Sequence, residues 1–180
     1  MAKKQKKIIG SEEWCKLTKL GVPAIKARID SGAKTSAIHA YNIHTYRKDK
    51  VLWVNFEIHP LQDDRRTIVR CDAEVIDRRD VKSSSGISEK RYVIKVMISL
   101  GGSRWEIELT LTNRDAMGYR MLLGREAMKD RFLVDPSESF MDGDISNEDI
   151  EKLYVKIKKP AAIILSLLYK SGVLARTPIF

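Results

Sequence analysis

The sequence predicts an all-β body, barrel or sandwich, with a few short helices placed late, and three observations carry that expectation. Apolar residues recur at every second position in several segments, tight turn signals separate those segments, and helix-like patterning appears only after residue 124. Many short strands with brief connections pack as layers around one core rather than alternating with crossover helices.

Taken in order, Ile25, Ala27 and Ile29 share one side of a strand and Lys26 and Arg28 the other, so the run ends at Asp30. Leu52, Val54, Phe56 and Ile58 repeat the pattern, as do Tyr92, Ile94, Val96, Ile98 and Leu100. Trp105, Ile107, Leu109 and Leu111 stand opposite Glu106, Glu108 and Thr110, and residues 67–76 and 120–123 add two further strands. The turn signals between them are HPLQDD at 59–64, SSSGIS at 83–88 and GGS at 101–103. After Gly124, residues 125–131 contain good helix formers and no breaker, which predicts a two-turn helix. Ser146 and Asp149 form a capping box for a second helix, with Ile150, Leu153, Tyr154 and Ile157 on one face and Pro160 at its stop. A third short helix is expected over 161–170, ahead of Gly172.

A chain of 180 residues, 43% hydrophobic and 32% charged, is an ordinary globular chain that buries about 70% of its unfolded surface. Its net charge of +9 suggests nucleic acid until it is divided along the chain. Lys3, Lys4, Lys6 and Lys7 put +4 on residues 1–10, and six cations against Glu151 put +5 on residues 151–180, leaving the body neutral. Basic ends attract phosphate or acidic polypeptide, but short solvated lysine tails are commoner, so nucleic acid is not the expected partner. Cys15 and Cys71 form no CxxC pair, the lysine-rich start runs into IIGSEEW, and the longest apolar run, 161–169, is nine residues. A cytoplasmic protein without a membrane span is expected.

The stretch RIDSGAKTS poses the chemical question. An acid at a strand end, followed by Ser and Gly, is commonly just a turn closed by its own side chain. Here the acid follows an alternating apolar strand and precedes Ala33, and about ninety residues later comes MLLGRE, an apolar run closed by Gly124.

Those two pieces together resemble the retropepsin-like aspartic peptidases, in which an apolar strand leads into Asp-Ser/Thr-Gly-Ala and a later apolar-apolar-Gly segment packs on the catalytic loop before a short helix. The blocks PAIKARIDSGAKTSAIHA, HPLQ, RYVI, LTNRDAM, MLLGREAM and LVDPS narrow the resemblance to a bacterial RimB-type family, whose members also carry the label ATP-dependent zinc protease. It covers roughly residues 8–140.

The resemblance implies a closed retropepsin-like barrel over 11–145, between a basic tail at 1–10 and a helical basic extension at 146–180. It implies peptide hydrolysis by a pair of carboxyls about 3 Å apart that share one proton. Asp30, Ser31 and Gly32 become the catalytic set, Ser31 bonding across the loop pair, with Ala33, Lys34, Thr35 and Arg125 as substrate contacts. The chain has one DSG, so a dyad demands a twofold-related second copy, a homodimer; failing that, Asp115 or Asp72 would have to substitute, or the site would be inactive. HPLQDD and SSSGIS are the two candidates for a flap over the substrate. Association of the family with RimK-type ligases, which add glutamates to a protein terminus, points to glutamylated protein tails as substrate, with Lys34 contacting the acid.

No cofactor is expected. His39, His44 and His59 with Cys71 and Cys15 have neither an HExxH nor a close Cys/His spacing, which argues against zinc despite the label. SGAKTS lacks the earlier glycine and the Gly-Lys pair of a phosphate loop, so nucleotide dependence would belong to a partner. The rival reading is a non-catalytic dimeric module that docks acidic protein or RNA through its basic tails.

Overall fold

The computed structural model describes residues 5–62, 64–82, 86, 88–113 and 118–155. The chain divides into two compact units, Met1–Asp144 and Ile145–Phe180. In the first, the strands are β1 (Lys7–Ile9), β2 (Glu12–Leu17), β3 (Val22–Asp30), β4 (Ser36–His39), β5 (Tyr41–Lys48), β6 (Val51–Ile58), β7 (Val69–Lys82), β8 (Ser88–Leu100), β9 (Ser103–Thr112), β10 (Met121–Gly124) and β11 (Phe132–Val134), with helix α1 at Arg125–Met128.

The main sheet runs β2-β3-β10-β4-β9-β8-β7-β6-β5, and a further pairing of β2 with β8 brings six of its strands into a ring. That contact is Lys16 opposite Ser99. Inside the ring, Leu17, Ile25, Ile38, Ile98, Leu109, Met121 and Leu123 are fully or almost fully buried, the inward half of each alternating strand. β-Branched and leucine side chains suit this pleated, two-sided packing. Val54, Phe56 and Ile58 of β6 join the same core, and β7, β6 and β5 continue the sheet beyond the ring.

Residues 7–9, grouped by charge with a basic tail, instead form β1, parallel to β11, with Ile9 fully buried. Burying an isoleucine outweighs the preference of neighbouring lysines for water, whose long stems keep their charges outside. The helix expected over 125–131 stops at Met128, because Lys129 leaves helical geometry (ψ 133°) and Asp130 turns into the left-handed region (φ 62°).

In the second unit the described chain is helical over 147–155, called α2. The N-cap half of the capping box forms: Asp149 N donates to Ser146 Oγ at 3.2 Å, while the Asp149 carboxylate accepts from the Ser146 hydroxyl at 2.8 Å. The predicted helix over 161–170 lies outside the described residues.

Candidate active site

β3 and β10 run parallel in register, from Ala27 beside Met121 to Asp30 beside Gly124. β4 flanks the other side of β10, antiparallel. The chain leaving Asp30 must therefore cross the end of β10 before it re-enters the sheet as β4, and this crossing forms the site. Arg125 N donates to Ala33 O at 2.8 Å, Glu126 N to Lys34 O at 3.2 Å, and Gly124 N to the buried Ser36 Oγ at 3.1 Å. The apolar strand, the glycine and the helix start thus hold the loop along its length.

Asp30 stands at the strand's end with one oxygen fixed and one open. Its Oδ1 accepts from Gly32 N at 2.9 Å and Ala33 N at 3.0 Å, while Oδ2 has no hydrogen bond among the described residues. Gly32 permits the fold-back, since a Cβ there would meet Oδ1 at 3.2 Å. Ser31 beside it is exposed and its hydroxyl has no partner among the described residues. Arg125, itself exposed, sends Nη1 to Gly32 O at 2.6 Å, so its guanidinium is engaged by the loop.

Lys34 is exposed and without an ion pair among the described residues. With Thr35 and Ser36 it borders a cavity of about 530 Å³ whose opposite walls are Glu106, Ile107 and Glu108 of β9, Glu126 and Ala127 of α1, and Arg79 of β7. Arg79 bridges Asp77 at 2.7 Å and Glu108 at 2.8 Å. Sequence reading missed Arg79, Glu106, Glu108 and Glu126, because nothing in a local pattern says that three distant elements meet beside the loop.

Beyond Val93, which pairs with both Asp77 and Thr110, β7 and β8 pair, among the described residues, only with each other as far as Lys82 and Ser88. They form a two-stranded arm; of SSSGIS, which links the two strands in the sequence, residues 83–85 and 87 lie outside the described residues. HPLQDD follows β6 instead. There the Gln62 amide donates to Gly118 O, and Asp64 closes a turn by accepting from Arg66 N and Thr67 Oγ1.

The substitute acids and the metal candidates are elsewhere. Asp72 sits on β7 opposite Asn55 and accepts from Tyr46 Oη at 2.6 Å; Asp115 lies outside the described residues. His39 and His59 both pack on the Tyr41 ring, at 4.2 and 4.5 Å between centroids, whereas His44 is exposed on β5. Burial pushes the Cys71 thiol up to about 12 and, aided by Glu13 and Asp142, raises Cys15 as well, so both are poor metal ligands. Among the described residues no three His, Cys, Asp or Glu side chains gather as a metal-holding group.

A strand that leads into Asp-Ser-Gly, paired in parallel with a Leu-Leu-Gly strand that runs into a short helix, in a mostly β ring, defines a retropepsin-like protein. The chain belongs to the RimB-like family, described as retropepsin-like aspartic endopeptidase RimB, whose profile matches residues 8–144. Three curated relatives are each named probable alpha-L-glutamate ligase. That of Shewanella pealeana is 60% identical over 162 residues, 89% of this chain and 35% of the relative. That of Desulfotalea psychrophila is 60% identical over 84% of this chain and 32% of the relative, and that of Parasynechococcus marenigrum 54% over 86% and 33%. The chain therefore spans about a third of the length of these relatives. A crystal structure of a Legionella pneumophila protein of unknown function superposes with a TM-score of 0.64 at 28% identity, covering 77% of this chain and 99% of that one. Among the described residues no helix is long and apolar enough to cross a membrane.

Proposed function

We propose that the protein is an aspartic peptidase whose site is completed by a second copy of the chain, and that it acts on glutamate-rich protein tails. The observation that carries this reading is the state of Asp30: Oδ1 held by two backbone amides, Oδ2 open at the loop's surface. Facing its twofold mate, the pair shares one proton. The ionised carboxyl takes a proton from water, whose oxygen attacks the scissile carbonyl. The protonated carboxyl gives its proton to the carbonyl oxygen, forming a gem-diol, and collapse of that intermediate returns a proton to the leaving amine. The exposed Ser31 hydroxyl, without a partner among the described residues, is then available to bond across the two loops. The self-paired arm of β7 and β8 covers the substrate as the flap, with Arg79 at its base.

The ligase name of the relatives fits this reading once lengths are compared. Two thirds of each relative falls outside the part that resembles this chain, and the ligase activity belongs in that remainder. A peptidase region carried beside a glutamate ligase points to the product of the ligase, a glutamylated tail, as what it hydrolyses, with the free Lys34 ammonium meeting the acid. The basic tails add a long-range attraction of the same sign.

The same relatives favour a second reading, since they are named for ligation and not hydrolysis: a non-catalytic module that presents an acidic acceptor to a ligase. One experiment separates the two. Digestion of a peptide library, including glutamate-tailed peptides, is compared for wild type and Asp30→Asn across pH, with mass in solution measured alongside. Cleavage by a wild-type dimer that vanishes in a still-dimeric Asp30→Asn supports the peptidase; peptides bound and left intact by both favour the module. Equal cleavage of a glutamylated tail by wild type and Lys34→Glu removes Lys34 from recognition.

A further inference from the structure

We infer that Arg125 is a positioning residue for Asp30, acting through the Gly32–Ala33 peptide, and not a contact for substrate. On one side of that peptide unit Arg125 Nη1 donates to Gly32 O at 2.6 Å; on the other, Ala33 N donates to Asp30 Oδ1 at 3.0 Å. A single amide thus lies head to tail between a fixed cation and a carboxylate. Its dipole is favourably aligned at both ends, and each charge-assisted bond polarises the amide toward strengthening the other.

Two more bonds keep the unit from rotating about its axis. Gly32 N donates to the same Oδ1 at 2.9 Å, and Arg125 N donates to Ala33 O at 2.8 Å. Arg125, the first residue of α1, therefore clamps two successive loop carbonyls, one with its side chain and one with its backbone. The consequence reaches the carboxyl itself. With Oδ1 captured, the plane of the Asp30 carboxyl is set and Oδ2 is the oxygen presented outward. Without the guanidinium, the Gly32–Ala33 peptide loses its anchored oxygen, can turn over, and takes the Ala33 N–H away from Oδ1. A lysine at 125 keeps the charge but offers a compact ammonium on a flexible stem in place of a planar donor array, so it holds the peptide less well.

The kinetic part of this inference rests on the aspartic-peptidase reading; the hydrogen-bond part does not, and the test uses both. Amide hydrogen exchange is followed by NMR in the full chain for wild type, Arg125→Gln and Arg125→Lys, with Leu109 in β9 as the folding control. Exchange at Ala33 is expected to quicken about tenfold in Arg125→Gln and less in Arg125→Lys, the scale of one charge-assisted hydrogen bond, with Leu109 unchanged. On a quenched peptide bearing a run of glutamates, Arg125→Gln is expected to lose about tenfold or more in kcat with KM within about twofold, and added guanidinium to restore part of the loss. Unaltered exchange at Ala33, or a raised KM with kcat intact, overturns the assignment. A wild type that cleaves nothing sinks the peptidase reading, and the Ala33 amide then decides the role of Arg125 alone. Should Leu109 lose protection in Arg125→Gln, the comparison passes to Arg125→Lys, where the same two outcomes decide.

Discussion

Gly124 lies directly against Thr35: a Cβ on Gly124 would stand 2.7 Å from the Thr35 carbonyl carbon and 2.9 Å from its oxygen. Those are backbone atoms of the loop that carries Asp30, and they cannot swing aside as a side chain would. The contact explains why the apolar strand after Leu123 must close on a glycine at the crossing.

Gly124→Ala is therefore expected to push residues 33–36 off β10. The cost to folding is about 1–3 kcal/mol, typical of over-packing a close contact, and activity should fall far more than stability because the loop carries Asp30. Urea denaturation and peptidase assay on the same preparation check this. Loss of activity in mere proportion to the unfolded fraction would contradict it.

A second expectation concerns Glu13, a fully buried carboxylate. It accepts from Gly10 N at 2.7 Å, Met141 N at 3.1 Å and Asp142 N at 3.3 Å, tying residues 141–142 to the start of β2. Glu13→Ala leaves these donors without an acceptor, at about 1–3 kcal/mol for each buried donor. A destabilisation of about 3 kcal/mol or more is expected from urea unfolding curves, and a loss below about 1 kcal/mol would mean water replaces the carboxylate.

How much of this was legible beforehand depended on whether a strand has a buried face. β6 and β9 show one apolar side and one polar side, and their alternation located them within a residue; the alternation of β8 fixed its end at Leu100 but missed its first residues, Ser88 to Lys90, which are exposed. β5 did not, because nearly every residue from Asn42 to Lys48 is exposed and only Ile43 of them packs against the core; an outer strand with so little buried leaves no period of two. β2 was hidden for the opposite reason: its buried side reads Glu13, Cys15, Leu17, and a buried carboxylate breaks the apolar pattern. At the site, Asp30, Gly32 and Gly124 were legible because the turn and the close approach demand those residue types. Arg125 was visible, but its hold on Gly32 O was not, since it depends on a crossing between segments about ninety residues apart.

The two thiols give a pH and reactivity expectation. Burial pushes Cys71 up to about 12 from an ordinary value of 9.0, and Cys15 is raised for the same reason. A group whose folded value is raised stabilises the fold fully below its unfolded value and loses that contribution as pH climbs toward the folded one. Stability should therefore decline between about pH 9 and about pH 12 from these groups, and less steeply in Cys71→Ala. Neither thiol should react with a disulfide reagent at neutral pH until urea unfolds the chain. Fast labelling of the native protein would show that the burial is transient.

The last expectation concerns the arm. Arg79 on β7 reaches past β8 to Glu108 on β9 while also holding Asp77, so one side chain ties the base of the self-paired hairpin to the barrel beside the cavity next to Lys34. These pairs are partly exposed, with about a third of the Arg79 side chain open to solvent, and exposed ion pairs contribute about 1 kcal/mol or less to stability. Arg79→Ala should thus leave the urea midpoint nearly unchanged. If the arm closes over substrate, the variant loosens that closure, and KM for a glutamate-tailed peptide should rise several-fold, with a smaller effect on kcat because Asp30 and its loop are untouched. Steady-state kinetics beside denaturation separate the two effects: unchanged KM with lowered stability would make Arg79 a strut of the sheet and remove the hairpin from substrate binding.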